Sequence, residues 1–258
     1  VAETIKGWHH GRIRAMRTAR AREILTELTP DLLARFGAAP DADVAFNAFA
    51  EFLAGLPSGV QIFSLFEANR GLLDFLARVL CRSSYLASHI SEHPHVLDAV
   101  LTDEFMAAPG DKKNLRRDLS FDLDDAIDFQ DVLDGARRWL SEIRLRLSVQ
   151  TLETRLAPIV AAGILSDAAD VVAERMLMGV QAEFEAIHGV IKRGAYGVLA
   201  YGKWGSRELT IGSDLDLVTI YQAPDGAESD GARPLASAVY YMRLTQRLIT
   251  ALSAQTGE

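Results

Sequence analysis

Cysteine, basic charge and long apolar runs are all scarce in this sequence. Cys81 is the single cysteine among 258 residues, so no intramolecular disulfide can form, and a reducing, cytoplasmic compartment is expected. The formal net charge of −8 argues against a surface that wraps nucleic acid, although a local basic patch stays open. No run approaches the roughly 18 apolar residues of a membrane span. We therefore expect neither nucleic acid nor a membrane as a partner.

Both ends of the sequence are typical of cuts in a longer protein. Residues 1–4 contain neither an initiator methionine nor an apolar signal core, and the chain stops abruptly after residues 256–258. Between the ends, 49% hydrophobic and 24% charged residues make an ordinary globular composition without repeats or low-complexity segments. The length favours one large domain or two modest ones, each with a buried core.

Helical periodicity covers most of the chain. The first helices are predicted over about 11–36, 43–55, 58–68, 70–82, 84–91 and 94–106, followed by a linker candidate at 107–114. Later helices are predicted over about 122–149, 151–162, 167–189 and 235–253, with Ser166 as the N-cap of the third. Basic residues near the N-terminus are interpreted as a solvated helix face, with a docking surface for an acidic partner as the alternative.

Two short apolar segments interrupt the helical pattern near the C-terminus. Residues 196–201 and 215–221 are bounded by glycine or polar residues and predict buried strands. The sequence therefore predicts a mostly α protein with a small mixed β-sheet. Its first domain would be helical and cover residues 1–118, and a second domain with the sheet would cover residues 119–258.

A pair of aspartates precedes the second predicted strand. Asp214 and Asp216 are two residues apart, so in a strand they would project from one face while Leu215 and Leu217 point to the core. Adjacent carboxylates repel unless a cation lies between them, and Mg²⁺ is the expected cation. The alternative is a surface turn with two solvated aspartates, which the apolar residues on both sides disfavour.

A glycine-rich turn, residues 202–206, lies between the two strands and is called the glycine turn below. Glycines allow close backbone approach, and their N–H groups can bind phosphate. Such a site suits in-line displacement at phosphorus with metal assistance. The cations Lys203 and Arg207 would meet a triphosphate. Trp204 either packs under the turn or lines a nucleotide pocket. The predicted nucleotide-binding residues are Gly202, Lys203, Gly205, Ser206, Arg207 and Ser213.

This stretch resembles known enzyme families. Gly202-Lys203, ten intervening residues and Asp214-Leu-Asp216 are similar to the signature of DNA-polymerase-β-like nucleotidyltransferases, although Lys203 replaces the usual serine or glycine. The whole string 201–217 resembles the glutamine synthetase adenylyltransferase family, with Trp204 and Ser206 in place of leucine and glycine. Segments 8–12, 20–23 and 55–61 are similar to the central helical region of that family.

The resemblance implies a fold, a reaction and partners. It implies a truncated polymerase-β-like domain after a helical domain, and Mg²⁺-dependent transfer of AMP from ATP to a tyrosine of glutamine synthetase. Asp214 and Asp216 would be the catalytic, metal-binding residues, and a PII protein could be a regulatory partner. The family's third carboxylate is expected after Glu258, so we expect the 258-residue chain to be weakly active or inactive.

Other functions stay open at this point. One is the phosphorolytic, AMP-removing half of the same enzyme, and a second is a small-molecule nucleotidyltransferase of the aminoglycoside type. A third is a non-catalytic module that binds nucleotide or a regulator. His89, His93 and His95 are interpreted as polar residues on the surface of a helix rather than as a zinc site, because a further ligand is lacking. Aspartates between 118 and 134 fit helix capping better than a calcium loop.

Overall fold

The computed structural model describes residues 1–9, 13–39, 41–56, 58–83, 86–87, 89–90, 96–100 and 102–253. The chain divides into two compact units, Val1–Ala107 (unit 1) and Ala108–Glu258 (unit 2). This division lies at the start of the predicted linker, and residue 118, the predicted end of the first domain, lies inside a helix of unit 2. The described residues contain no helix long and apolar enough to cross a membrane.

Unit 1 is helical throughout its described part. Its elements are α1 (Ala2–His9), a 3₁₀ turn (Arg14–Met16), α2 (Ala19–Gly37), α3 (Ala42–Gly55), α4 (Val60–Ala68), α5 (Arg70–Arg82), α6 (Val96–Ala99) and α7 (Asp103–Met106). Side chains cap several of the N-termini: Thr18 accepts from Ala21 N, and Thr102 accepts from Phe105 N. These caps explain why the first predicted helix starts at Ala19 and why the one predicted over 94–106 is two short helices.

Aromatic side chains fill the core of unit 1. Phe49 is buried between Trp8, Phe36 and Phe52, at ring-centroid distances of 5.8, 5.5 and 6.0 Å. Burying a side chain of this kind stabilises the fold by roughly 1.5–3 kcal/mol. Cys81 is partly buried. Half of the helix predicted over 84–91 (residues 84, 85, 88 and 91), together with His93 and His95, lies outside the described residues.

Unit 2 combines helices with two strands. Its elements are α8 (Lys112–Asp122), α9 (Phe129–Leu152), α10 (Pro158–His188), β1 (Ala195–Ala200), α11 (Gly202–Gly205), β2 (Leu217–Gln222) and α12 (Ser237–Ser253). Helix α10 packs against α8, α9 and α12. One buried core cluster packs along part of α10 and includes Trp139, Trp204, Leu209 and Leu248. Phe184, Tyr240 and Tyr241 form a second cluster near its C-terminus.

Three helix predictions for unit 2 are wrong. The break predicted between helices over 151–162 and 167–189 is absent, because Ser166 does not cap, and the observed break lies earlier, at residues 153–157 before Pro158. Ser166 is buried inside α10, and its hydroxyl donates to Ala162 O at 2.8 Å, which satisfies it without ending the helix. The helix predicted from 122 starts at Phe129, since Asp128 caps it by accepting from Asp131 N. Helix α8 begins within the predicted linker, where Asp111 caps it.

The sheet differs from the prediction in direction. We expected a mixed sheet, but the two described strands pair antiparallel, with Ala195 opposite Gln222 and Ala200 opposite Leu217. The residues that join them contain only the four-residue helix α11. A parallel pair needs a longer crossover, usually a full helix, so the short connection favours antiparallel pairing. The second strand starts two residues later than predicted, which leaves Asp214 and Asp216 in the loop before it.

Candidate functional site

The glycine turn folds as a single helical turn at the end of β1. Gly205 N donates to Tyr201 O at 3.0 Å, and Ser206 N donates to Gly202 O at 3.0 Å. Gly202 has a φ of +54°, a left-handed conformation that favours glycine. Within the described residues, the backbone N–H groups of Gly202, Lys203 and Trp204 have no intramolecular acceptor. The turn therefore presents a short run of free donors.

Asp216 lies directly against the start of this turn. A Cβ added at Gly202 would clash with Asp216 Oδ2, so the absence of a side chain makes room for the carboxylate. The backbones are joined as well, because Tyr201 N donates to Asp216 O at 2.8 Å. The structure thus brings together two parts of the sequence motif that lie 14 positions apart, Gly202 and Asp216.

The residues around Asp214 and Asp216 alternate between solvent and core. Both aspartates are exposed, while Leu215 and Leu217 are half-buried and pack on the core beside α10. Within the part of the chain that the structure describes, neither carboxylate forms a hydrogen bond or ion pair with the protein. The same part contains no group of three or more metal-ligating side chains. The two aspartates therefore offer hard oxygen ligands to a metal ion, and the other ligands of that ion would come from a substrate.

The two predicted phosphate-binding cations have different surroundings. Lys203 is exposed and has no ion pair within the described ranges. The Arg207 guanidinium instead binds Asp167 and Asp170 of α10, and it donates to Gly163 O at 3.3 Å. Burial lowers the pKa of Arg207, but hydrogen bonds to the two carboxylates outweigh this effect and raise it. Arg207 is therefore already neutralised by the protein, and its binding to a triphosphate stays a prediction.

The two serines of the predicted site stabilise local structure. Ser206 Oγ donates to Glu208 Oε2 at 3.0 Å. Ser213 Oγ accepts from Thr210 N at 3.0 Å, and Ser213 N donates to Thr210 O at 2.9 Å. Ser213 thus closes the loop that leads into Asp214. Direct contact of either serine with a nucleotide stays a prediction.

Trp204 packs under the glycine turn rather than lining an open pocket. Its side chain is buried, and its indole Nε1–H donates to Asp170 Oδ1 at 2.8 Å. Asp167 and Asp170 were not among the predicted site residues. Asp167, Asp170 and Glu174 are spaced three and four positions apart, which places them on one helix face. That spacing was a readable signal, because all three residues lie within the helix predicted over 167–189, but the sequence did not show that this face contacts Trp204 and Arg207.

A separate cleft of about 740 Å³ lies between α9, α10 and α12 of unit 2. Its lining residues include Phe129, Phe184, His188, Arg243 and Arg247. None of its lining residues belongs to the glycine turn or the aspartate pair. Arg247 lies over the Phe184 ring, with 5.3 Å from its guanidinium carbon to the ring centroid. The cleft is therefore distinct from the predicted site.

Comparisons with known proteins indicate one family. The profile of the family described as "Glutamate-ammonia ligase adenylyltransferase" matches residues 73–258. A protein of Mesorhizobium japonicum is 44% identical over 100% of this chain, and proteins of Brucella suis and Agrobacterium fabrum are each 42% identical over the same extent. Each is named "Bifunctional glutamine synthetase adenylyltransferase/adenylyl-removing enzyme". The chain covers 26% of each of these relatives.

Proposed function

The chain belongs to the glutamate-ammonia ligase adenylyltransferase family, and we propose that unit 2 carries part of a nucleotidyltransferase site that transfers AMP from ATP to a tyrosine of glutamine synthetase. The domain would have a polymerase-β-like fold. The family membership and the names of the relatives support the substrate, and the site geometry supports the chemistry. A PII protein as regulator stays a prediction.

The contact between Gly202 and Asp216 carries the proposal. It places a carboxylate beside a turn whose N–H donors are free and whose Lys203 is unpaired within the described residues. Free N–H groups and a cation bind phosphate oxygens, whereas a carboxylate next to them would repel a phosphate unless a cation lies between. The arrangement is thus suited to a metal–triphosphate complex and poorly suited to a bare anion.

Asp214 and Asp216 fit a divalent metal by their chemistry. Both are exposed on the side away from the core, and both lack a protein partner in the described part of the chain. Mg²⁺ is commonly held by one or two carboxylates together with substrate phosphates. When bound, the ion would neutralise phosphate charge during displacement at phosphorus. The aspartates would hold it, and the glycine turn and Lys203 would hold the β- and γ-phosphates.

The reaction balances with ATP and a tyrosine as reactants. The phenol oxygen forms a bond to the α-phosphorus, and the bond from that phosphorus to the oxygen leading to the β-phosphate breaks. Pyrophosphate leaves with the electron pair of that bond, and the phenol proton passes to a base or to water. The names of the relatives also include removal of adenylyl groups. In that direction phosphate would attack the same phosphorus and release the tyrosine, with the same residues holding the nucleotide.

The test is AMP transfer by the whole protein that carries this segment, using ATP labelled at the α-phosphate, Mg²⁺ and glutamine synthetase. Asp214→Asn and Asp216→Asn should each lower labelling by about a hundredfold or more, since changes only one shell further from a metal already cost 10–100-fold. Asp225→Asn is the matched control, because this exposed aspartate lies in the loop that follows the opposite end of β2. Its labelling should equal that of the unaltered protein.

The same preparations decide the direction. Pre-labelled glutamine synthetase is incubated with phosphate, and loss of labelled ADP release in Asp214→Asn with unchanged forward labelling would assign the site to AMP removal. Retention of full activity in both directions by Asp214→Asn would contradict the assignment of this site. If the unaltered protein catalyses neither AMP transfer nor AMP removal, the result would instead favour a regulatory module.

A further inference from the structure

Hydrogen-bond donors from two regions of unit 2 converge on the carboxylate of Asp170. Its Oδ1 accepts from Trp204 Nε1 at 2.8 Å, and its Oδ2 accepts from Arg207 Nη1 at 2.8 Å and Lys112 Nζ at 2.9 Å. Trp204 belongs to the glycine turn, and Arg207 follows it directly. Lys112 is the first residue of α8. Asp170 therefore fixes the glycine turn and α8 to the same point of α10.

The contacts of Arg207 hold a backbone conformation that is unfavourable in itself. Its φ is +64°, in the left-handed region that residues with a Cβ rarely adopt. Binding to Asp167, Asp170 and the carbonyl of Gly163 holds the residue in this conformation. Without these contacts, the chain after the glycine turn would be free to relax. The turn's position therefore depends on partners that lie outside the motif itself.

The charges around Asp170 balance within one network. Burial raises the pKa of Asp170, but hydrogen bonds from Lys112, Trp204 and Arg207 outweigh it, so the pKa is lowered and the carboxylate stays ionised at neutral pH. The network joins the cations Lys112, Arg116 and Arg207 to the carboxylates Asp167, Asp170 and Glu174. Glu174 contacts the two α8 cations but not the turn. Asp167 and Asp170 therefore contact Arg207, Asp170 alone also contacts Trp204 of the turn, and Glu174 contacts neither residue.

We propose that Asp170 is a positioning residue for the nucleotide, acting through Trp204 and Arg207 to hold the glycine turn against Asp216. The inference rests on the proposed function, because the turn is where the triphosphate would bind. Asp170 is on the side of the turn that faces α10, and Asp216 contacts its first residue, Gly202. A turn held from both sides keeps its free N–H groups in one arrangement before ATP arrives. The affinity for ATP is then higher, because the turn does not have to be ordered when the nucleotide binds.

The test compares Asp170→Asn with Glu174→Gln in the whole protein. Both variants remove one negative charge from the same helix and the same network, but only the first weakens contacts to the turn. Asp170→Asn should raise KM for ATP roughly tenfold while changing kcat less, because the loss of one charge-assisted hydrogen bond corresponds to about that factor. Trp204→Phe, which keeps an aromatic ring and removes the Nε1 donor, should also raise KM for ATP. Glu174→Gln should leave KM for ATP unchanged.

Hydrogen exchange of the backbone amides of residues 201–209 gives a readout that does not need activity. Asp170→Asn should speed this exchange, and Glu174→Gln should not. Equal KM and equal exchange in the two variants would overturn the positioning role. If the unaltered protein transfers no AMP, the proposed function fails, yet the exchange comparison still decides whether Asp170 holds the turn.

Discussion

Replacing Gly202 by alanine tests whether the position of Asp216 depends on the missing side chain at this glycine. The substitution has two effects, backbone strain and a clash with Asp216, which control variants can separate. The new methyl group would meet a φ of +54° and would also clash with Asp216 Oδ2. Alanine in the left-handed region costs roughly 1–2 kcal/mol. The clash adds a local displacement, because either the carboxylate rotates away or the turn shifts. Asp216 should therefore leave the arrangement that the proposed metal site needs.

Two other glycines provide matched controls for this variant. Gly226 has a φ of +66°, and a Cβ there would meet nothing within 4 Å, so Gly226→Ala carries the backbone cost without a clash. Gly212 has neither a positive φ nor a neighbour within 4 Å, so Gly212→Ala carries neither. The free energy of unfolding should fall by about 1–2 kcal/mol in Gly226→Ala and by at least as much in Gly202→Ala.

The assay combines urea denaturation with AMP transfer on the same preparations. Gly202→Ala should lose transfer activity about a hundredfold, by the same reasoning as for loss of a metal ligand. Gly226→Ala should be destabilised but active, and Gly212→Ala should be unchanged in both measurements. Equal activity of Gly202→Ala and Gly226→Ala would refute the reasoning, since it would mean that the position of Asp216 does not depend on the missing side chain.

Two further predictions concern the packing and titration of unit 2. A Cβ at Gly179 would overlap the Phe129 ring, so Gly179→Ala should lower the free energy of unfolding by about 1–3 kcal/mol. Gly163→Ala, in open space on the same helix, should raise the free energy of unfolding by up to about 1 kcal/mol. The urea midpoints of the two variants check both predictions. Burial raises the pKa of Tyr240 to about 12, from 10.0, with a smaller contribution from Glu185. Since the folded phenol keeps its proton longer than the unfolded one, its contribution to stability is complete below about pH 10 and is lost as the pH rises through about 12. Ultraviolet titration should show a phenol of the unaltered protein that ionises late and is missing from Tyr240→Phe, and a high-pH titration that the substitution leaves unchanged would contradict this.

Local sequence signals predicted the position of the strands and the glycine turn well, but the prediction that the strands are buried is wrong, because every residue of β1 and β2 is exposed or only partly buried. Both strands combine apolar side chains with flanking glycine or polar residues, and the structure places them within two residues of the predicted bounds at Ala195–Ala200 and Leu217–Gln222. The packing of Leu215 and Leu217 on the core follows from their alternation with Asp214 and Asp216. These predictions depend on neighbours along the chain, which a sequence records directly.

Contacts between distant residues account for what the sequence did not predict. The hydroxyl of Ser166 can cap a helix or donate to the carbonyl four residues earlier, and only the packing of α10 decides between them. Arg207 has the chemistry of a phosphate ligand and equally that of an ion-pair partner. Asp170 lies 37 positions away from it, so the sequence did not show which role applies. The direction of strand pairing likewise depends on the connection between the strands, not on the strands themselves.

The length of α10 has a consequence for the order in which unit 2 folds. This 31-residue helix forms from contacts along its own chain, and such steps take about a microsecond or less. The bond between Arg207 and Asp167 closes a segment of 40 residues, whose entropic cost must be met before the contact contributes. We therefore expect the helix to display its carboxylates one turn apart before the segment that follows β1 arrives. The candidate site should then assemble late, on a helix that is already formed, and under mild denaturing conditions it should be among the first parts of unit 2 to be lost.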